Sequence, residues 1–392
     1  MARPGTRCRP EGRTRDDDAC PGALQVHQAA DGALARIRLA GGMISAGQLE
    51  SLAHAATEFG SSAMELTSRG NLQVRGIQDA SRLADAVSAA GLLPSATHER
   101  VRNIVASPLS GRSGGLGDVR AAVTELDTGL QNRPELAGLP GRFWFGIDDG
   151  RGDVSGLKPD VSTHLTSGDT AAVLISGRDT GVRVSAAVIV PTLLNLAEQF
   201  VKIRGNCWRT YELNRDDDLL SGAGLIADAP AGASWPPIET PPVGWITQAD
   251  GRITLGAAVP LGILAARTAE FVAAIAAPVV ITPWRSLLIC DLDEGIADTA
   301  LRVLAPLGLI FDEHSPWLTI SACTGSPGCA KSLTDVRSDA AAAVLAAEAD
   351  AALLGTAPAE HRHFVGCERA CGSPATGQVL VATTEGYRLR HP

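Results

Sequence analysis

The chain has 392 residues, 45% of them hydrophobic and 20% charged. This length exceeds one simple core and indicates two or three domains, and the balanced composition excludes a disordered or collagen-like chain. A net charge of −9 argues against a nucleic-acid binder that works through a global positive field. No uninterrupted apolar run reaches the roughly 18 residues of a membrane span. We therefore expect a cytoplasmic protein without nucleic-acid or membrane partners.

The first 98 residues predict a lead-in followed by an alternating strand and helix unit. Residues 1–20 lack the apolar stretch of a secretory signal, so we predict a disordered lead-in. Within 21–98 the pattern predicts two strands, each followed by a helix. These elements are strand 34–39, helix 45–59, strand 64–67 with Arg69 after it, and helix 80–90.

A second stretch, 245–312, repeats this order. It predicts strand 253–256, helix 261–276, strand 279–282 with Arg285 after it, and helix 295–304. From Asp31 to Arg69 is 38 positions, and from Asp250 to Arg285 is 35. We interpret the match as an internal duplication of a ferredoxin-like half-domain, with chance alignment of apolar segments as the alternative. The predicted fold class is therefore α+β.

The remaining segments complete a six-part organisation. Residues 99–227 predict an α/β domain, 228–244 a proline-rich linker, and 313–392 a second α/β domain. In the last segment, 339–354 predicts an alanine-rich helix with Ser338 as its cap and Gly355 at its end. Residues 379–389 predict a closing hairpin.

Four cysteines of the C-terminal segment form two close pairs, Cys323 with Cys329 and Cys367 with Cys371. Four thiolates make a soft all-sulfur site that suits zinc or an iron–sulfur cluster. Structural zinc favours two to four residues between paired ligands, whereas the five-residue loop rich in Gly and Pro is better able to wrap a cluster. Four thiols that only pack are the structural alternative. The other cysteines, which we expect to be reduced bystanders, show no such pairing: Cys8, Cys20, Cys207 and Cys290.

With these motifs the chain, from about residue 22 to 390, resembles the nitrite/sulfite reductase family, which includes sirohaem-dependent reductases and the precorrin-3B synthases. The resemblance implies a duplicated fold and a [4Fe-4S] cluster on Cys323, Cys329, Cys367 and Cys371. The segment 66–77 is similar to the family's first signature and 102–105 to its second. These likenesses imply that Arg69 and Arg102 face a tetrapyrrole, whose carboxylates suit guanidinium groups.

One departure distinguishes between branches of the family. Sulfite reductases follow a Leu-Pro pair with two lysines that bind the anion and supply protons. Here, after Leu139-Pro140, Arg142 occupies the position of the first lysine and Trp144 the position of the second. An indole cannot supply protons to an oxyanion, so sulfite reduction is disfavoured. The opening segment 20–39 resembles the start of precorrin-3B synthases.

The resemblance to that branch implies an oxygen-dependent oxidoreductase of corrin biosynthesis. It would hydroxylate precorrin-3A at C20 and form a γ-lactone, with O2 and an external electron donor, ultimately NAD(P)H. Arg69, Arg102 and Arg142 would orient the substrate carboxylates, and the cluster would pass electrons to an iron, with a mononuclear non-haem iron as a further cofactor. His361 and His363 alternate onto one face of a predicted strand. They could ligate iron or donate protons, and packed or solvated strand histidines are the alternative.

Two alternatives stay open at this point. The first is a sirohaem-containing nitrite or sulfite reductase with the same fold and cluster. The second is a non-enzymatic iron–sulfur or zinc protein, in which the cysteines only stabilise the C-terminal segment.

Overall fold

The computed structural model describes residues 18–213, 217–238, 240–354, 360–374 and 376–390. The predicted lead-in thus falls almost entirely outside the described residues. The chain divides into two compact units. The first unit contains Ile37–Met43, Leu92–Ile238 and the segment that ends at Gly22, and the second contains Ala23–Arg36, Ile44–Gly91 and the chain after Ile238. The predicted six-part boundaries stay a prediction.

The two predicted repeats are both present and share one order of elements, with three strands in each repeat that were not predicted. The elements of the first repeat are β1 (His27–Ala29), β2 (Gly32–Ile37), β3 (Met43–Ile44), α1 (Ala46–Phe59), β4 (Ala63–Leu66), β5 (Leu72–Ile77) and α2 (Ala80–Ala89).

The α1 helix begins at a capping box, because Ser45 Oγ accepts from the Gln48 amide and the Gln48 side chain accepts from the Ser45 amide. Its buried positions follow helical spacing, so one apolar face packs inward.

An α/β lobe follows in the first unit. Its elements are β6 (Ile104–Ala106), α3 (Arg120–Gln131), β7 (Phe145–Asp148), β8 (Val161–Leu165), β9 (Thr170–Ile175), β10 (Arg178–Ser185), α4 (Ile189–Ile203) and α5 (Asp217–Gly222). The sheet has the order β10-β9-β8-β7-β6, with β6, β7 and β8 parallel.

The stretch Ala186–Ile203, which contains α4, is long and apolar enough to cross a membrane by length and composition alone. It was not singled out from the sequence. Leu193, Leu196 and Phe200 of this helix are fully buried in the core of the first unit, where core helices have the same composition. Packing within the fold therefore accounts for its apolar face.

The second repeat and its lobe complete the second unit. The elements are β11 (Gly244–Thr247), β12 (Ile253–Ala258), β13 (Ile263–Ala265), α6 (Ala266–Ala273), β14 (Val279–Ile281), β15 (Ser286–Leu292), α7 (Glu294–Leu304), β16 (Ile320–Ala322), α8 (Val336–Leu354), β17 (Arg362–Val365), β18 (Gln378–Thr383) and β19 (Gly386–Leu389). The last sheet has the order β16-β17-β18-β19, with β16, β17 and β18 parallel. The α+β class and the duplicated arrangement are confirmed.

The two repeats exchange their third strands. The sheet orders are β1-β2-β5-β4-β13 and β11-β12-β15-β14-β3, so β13 pairs with β4 of the other repeat. The predicted helix 261–276 is therefore wrong in its first five residues, because pairing of Ile263–Ala265 with β4 overrides local helix preference. The start of the last helix is also corrected. Asp335, rather than Ser338, accepts hydrogen bonds from the first-turn amides, and Gly355 lies outside the described residues.

Candidate functional site

The C-terminal sheet brings the two cysteine pairs to one edge. Cys323 directly follows β16 and Cys367 follows β17 by two residues. The two strands are parallel, with Ala322 opposite Phe364, and the Cys323 amide donates to the Phe364 oxygen at 2.9 Å. Because carboxyl ends of parallel strands meet at one edge, both thiol-bearing loops leave the sheet side by side.

The loop from Cys323 to Cys329 turns sharply at Gly325. This glycine has a φ of +70°, and a Cβ there would lie 2.8 Å from a methyl group of Val336. The Cys329 amide donates to the Gly325 oxygen at 2.8 Å, which folds the loop back on itself. Only glycine fits this conformation and this space, so the residue is dictated by the shape of the thiol loop.

The four thiols are free and share one electrostatic environment. Burial raises the pKa of Cys371, and the charges of Cys323, Cys367 and Cys329 raise it further. The Gly366 amide donates to the Cys323 sulfur at 3.4 Å. Four like-charged thiolates therefore need a cation or a cationic cluster to be stable together.

The four thiol ligands determine which kind of metal group this site can hold. An all-sulfur donor set suits zinc or an iron–sulfur cluster. Five residues separate Cys323 from Cys329, more than the two to four that usually separate paired zinc ligands. The all-thiol donor set and this longer loop thus fit a [4Fe-4S] cluster.

The two strand histidines extend a hydrogen-bond chain to the last cysteine. Ser321 Oγ lies 2.8 Å from His361 Nε2 and 2.7 Å from His363 Nδ1, while His363 Nε2 lies 3.0 Å from the Cys371 oxygen. A carbonyl only accepts, so His363 Nε2 carries the proton. Burial lowers the pKa of His363 to about 4, so the ring is neutral. Both rings contact Ser321 Oγ, as the prediction that they share one face requires, and His363 alone of the two contacts the Cys371 backbone in the part of the chain that the structure describes.

The predicted arginines lie in both units. Arg69 belongs to the second unit and lies half-buried in the turn between β4 and β5, where its amide donates to Thr67 Oγ1 at 3.4 Å. The matching turn of the second repeat has Trp284 donating to Thr282 Oγ1 at 3.3 Å. The structural counterpart of Arg69 is therefore Trp284, and the sequence alignment of Arg69 with Arg285 was wrong by one residue. The role of Arg69 toward a tetrapyrrole stays a prediction.

Arg102 belongs to the first unit and is buried. Its Nε and Nη2 donate to the two carboxylate oxygens of Asp127 on α3 at 2.6 and 2.7 Å. This bidentate pair ties the entry of β6 to α3 and gives Arg102 a structural role in the first unit. A substrate-facing role stays a prediction.

Arg142 and Trp144 differ in environment although they are two residues apart. The Arg142 side chain is 56% exposed, lies over the Trp208 ring at 5.1 Å and is 3.7 Å from Asp18. Trp144 is buried in an apolar cluster with Val105 and Val154. The position that bears the second lysine in sulfite reductases thus presents no cation, whereas Arg142 remains accessible.

Sequence reasoning missed a buried acidic group in the first lobe, at Asp148, Asp149 and Asp153. Burial alone would raise the pKa of Asp148, but hydrogen bonds from His164 and backbone amides lower it to about 2. Burial and the Asp148 charge raise the pKa of Asp153 to about 7. The repeated pattern of Asp and Gly over 148–153 was the available signal.

This acidic group occupies the counterpart of the thiol site. The Ser107 amide donates to the Ile147 oxygen, and the Asp149 amide donates to Ser107 Oγ at 3.1 Å. Cys323 makes the same two contacts in its own sheet, so Ser107 is its counterpart. Ser107 Oγ donates to Asp153 Oδ1 at 2.6 Å, and a hydroxyl–carboxylate pair stands where the other lobe has a thiol.

The remaining cysteines that the structure describes lie outside the thiol group. Cys20 is half-buried and Cys290 is buried. Cys207 is buried in the core of the first unit. Cys8 falls outside the described residues.

Comparison with known proteins identifies one matching family model, two related proteins and one similar structure. Residues 27–85 match the family model of the nitrite/sulfite reductase ferredoxin-like half domain. A precorrin-3B synthase of Sinorhizobium sp is 28% identical over 388 residues, which cover 95% of this chain and 82% of the relative. A ferredoxin–nitrite reductase of Synechococcus elongatus is 27% identical over 400 residues, which cover 88% and 75%. The Mycobacterium tuberculosis NirA structure is similar at a TM-score of 0.74 and 21% identity, covering 91% of this chain and 74% of that chain.

Proposed function

The chain belongs to the nitrite/sulfite reductase family, and within it we propose that this protein catalyses the precorrin-3B synthase reaction. The reaction is the O2-dependent hydroxylation of precorrin-3A at C20 with γ-lactone formation, a step of aerobic cobalamin biosynthesis. One oxygen atom enters the substrate, and the other leaves as water after taking up two electrons and two protons. The electrons come from an external donor, ultimately NAD(P)H.

The observation that carries the proposal is the environment of Trp144. The two curated relatives have nearly equal identity, so residue-level chemistry has to distinguish the branches. Reduction of a small oxyanion depends on ammonium groups that neutralise charge and deliver protons. Trp144 is 6% exposed and packs with Val105 and Val154, so it offers neither. This favours an organic substrate over sulfite.

The chain's own residues would have distinct parts in this reaction. Cys323, Cys329, Cys367 and Cys371 would hold the [4Fe-4S] cluster. When bound, the cluster would supply electrons one at a time. The neutral His363 holds the Cys371 carbonyl, which keeps the last thiol-bearing loop in place.

Substrate orientation would fall to arginines. Arg142 is the strongest candidate, because its guanidinium is held over Trp208 with half of its surface exposed, ready to bind a carboxylate. Arg69 is half-buried at a turn and would serve in the same way. Arg102 engages Asp127 with Nε and Nη2, so it would act by orienting the adjacent chain.

Turnover with precorrin-3A tests the proposal. Anaerobically purified protein is supplied with a chemical or enzymatic electron donor and 18O2, and the product is analysed by mass spectrometry. We expect one 18O atom in the product and loss of turnover, iron and sulfide in Cys367→Ser. Cys290→Ala, which removes a buried thiol outside the group of four, should retain all three. A Cys367→Ser variant with full turnover would refute the role of the thiol group.

The alternative is a sirohaem-dependent nitrite or sulfite reductase, which the similarity to ferredoxin–nitrite reductase favours. The same preparation distinguishes the two functions. Stoichiometric sirohaem together with nitrite or sulfite reduction, and no conversion of precorrin-3A, would establish the alternative.

A further inference from the structure

One guanidinium from the first repeat contacts the first thiol loop. Arg75 lies on β5, and its Nε and Nη2 pair with the two oxygens of Asp31 at 2.9 and 2.8 Å. The same Nη2 donates to the Gly328 oxygen at 2.8 Å. The Arg75 side chain is only 9% exposed. Asp31 therefore holds the Arg75 guanidinium in place, and the guanidinium in turn holds the first thiol loop.

This contact locks the peptide that joins Gly328 to Cys329. Its oxygen accepts from Arg75, and its N–H, which belongs to Cys329, donates to the Gly325 oxygen at 2.8 Å. A peptide plane held at both ends cannot rotate without breaking one of the two bonds. The Cys329 backbone is thus positioned by protein contacts alone.

A second guanidinium comes from the second repeat. Arg285 lies in the turn between β14 and β15, and its Nη2 donates to the Gly372 oxygen at 3.3 Å. Gly372 follows Cys371, whose own oxygen is paired with His363. The last thiol loop is therefore also held on consecutive carbonyl groups.

The two guanidinium groups differ in how far their charge is compensated. Arg75 forms a bidentate pair with Asp31, so a carboxylate in direct contact offsets its charge. Glu65 faces Arg285, but Glu65 is already paired with Arg337. The Cys323 thiolate acts electrostatically on Arg285, which places this cation within range of the thiol group. A cation there favours the more negative, reduced state of a bound cluster.

We propose that Arg75 and Arg285, one from each repeat, are positioning residues that hold the two thiol loops for the cluster, and that Arg285 also raises its reduction potential. This inference rests on the proposed [4Fe-4S] site. Arg75 acts through geometry, because its charge is neutralised locally. Arg285 acts through geometry and charge.

The test uses full-length Arg75→Gln, Arg75→Lys, Arg285→Gln and Arg285→Lys proteins. Arg82→Gln is the matched control, since Arg82 forms an exposed ion pair with Glu58. After anaerobic reconstitution, three quantities are measured: iron and labile sulfide per chain, the rate of iron release to a chelator, and the reduction potential by a titration followed by electron paramagnetic resonance. Far-ultraviolet circular dichroism of each protein monitors folding.

Arg285→Gln should lower the reduction potential of the cluster. A tenfold weaker stabilisation of the reduced cluster corresponds to a shift of 59 mV. Arg285→Lys should recover part of the shift because it keeps the charge. Arg75→Gln should release iron severalfold faster, with a smaller change in potential. If Arg75→Gln does not fold, Arg75→Lys, which keeps the charge but loses the fork, should still show the faster release.

Fully loaded Arg285→Gln with the wild-type potential, or folded Arg75 variants with the wild-type iron-release rate, would overturn the inference while leaving the proposed function intact. Wild-type protein that takes up no iron and sulfide would overturn both. The two failures are therefore distinguishable.

Discussion

Asp153→Asn should remove a pH-dependent loss of stability from the first unit. The Asp153 carboxyl is buried, close to Asp148, and accepts a hydrogen bond from Ser107. Its pKa is raised from 3.8 to about 7. Between these values the folded state keeps a proton that the unfolded state has released. The free energy of unfolding therefore falls as the pH rises toward 7 and levels off above it.

The expected magnitude follows from the shift. The slope is about 1.36 kcal/mol per pH unit between the two pKa values, so the wild type should lose about 2.6 kcal/mol between pH 5 and pH 8 from this group. Asparagine is nearly isosteric and does not titrate. The free energy of unfolding of the variant, relative to that of the wild type, should therefore rise by about 2.6 kcal/mol from pH 5 to pH 8.

Urea denaturation, followed by tryptophan fluorescence at pH 5, 6, 7 and 8, measures this difference. Asp169→Asn is the control, because Asp169 is an exposed carboxyl of the same unit with a lowered pKa. The control should show no gain in stability that grows from pH 5 to 8. Parallel pH profiles of wild type and Asp153→Asn would refute the buried, proton-retaining carboxyl.

Three further changes test other contacts. Arg102→Ala should lower the free energy of unfolding by about 3–5 kcal/mol by leaving Asp127 without its guanidinium partner, and adding Asp127→Ala should recover part of the loss. A double variant that loses the sum of the two single losses would contradict a coupled pair. Trp144→Lys should lower the free energy of unfolding, measured in urea, by about 3–5 kcal/mol, and Trp144→Phe should lower it less. A lysine variant as stable as the wild type would show that position 144 is not a core position. Gly325→Ala should reduce iron loading, because its methyl group would meet Val336 at a φ of +70°; full loading would show that the thiol loop can adjust.

The duplication could be predicted from the sequence because both repeats carry strong local patterns. The helix at Ala46–Phe59 has its cap and apolar spacing in adjacent residues, and the structure confirms it. The strand Ile263–Ala265 could not be predicted, because it pairs with β4 of the other repeat and local preference carries no record of that partner. The offset between Arg69 and Arg285 has a similar origin, since a one-residue shift within a turn is set by hydrogen bonds to Thr67 and Thr282.

The thiol group was accessible to sequence reasoning because its members lie close together in the chain. The contacts that hold the thiol loops in place could not be predicted from the sequence. Arg75 contacts Gly328 across 253 positions, and such a pairing follows only from the packing of the first repeat against the thiol loop. The pairing of Arg102 with Asp127 was also hidden, because a strand-end arginine in a family signature looks the same whether it faces a ligand or a helix.

The most direct test of the account is an anaerobic absorption spectrum of the purified protein, with iron, acid-labile sulfide and extractable tetrapyrrole measured on the same sample. The host should be able to make sirohaem. We predict about four iron and four sulfide per chain, a broad iron–sulfur absorption that reduction bleaches, and no sirohaem. Stoichiometric sirohaem would contradict the proposed reaction, and zinc without sulfide would contradict the cluster itself.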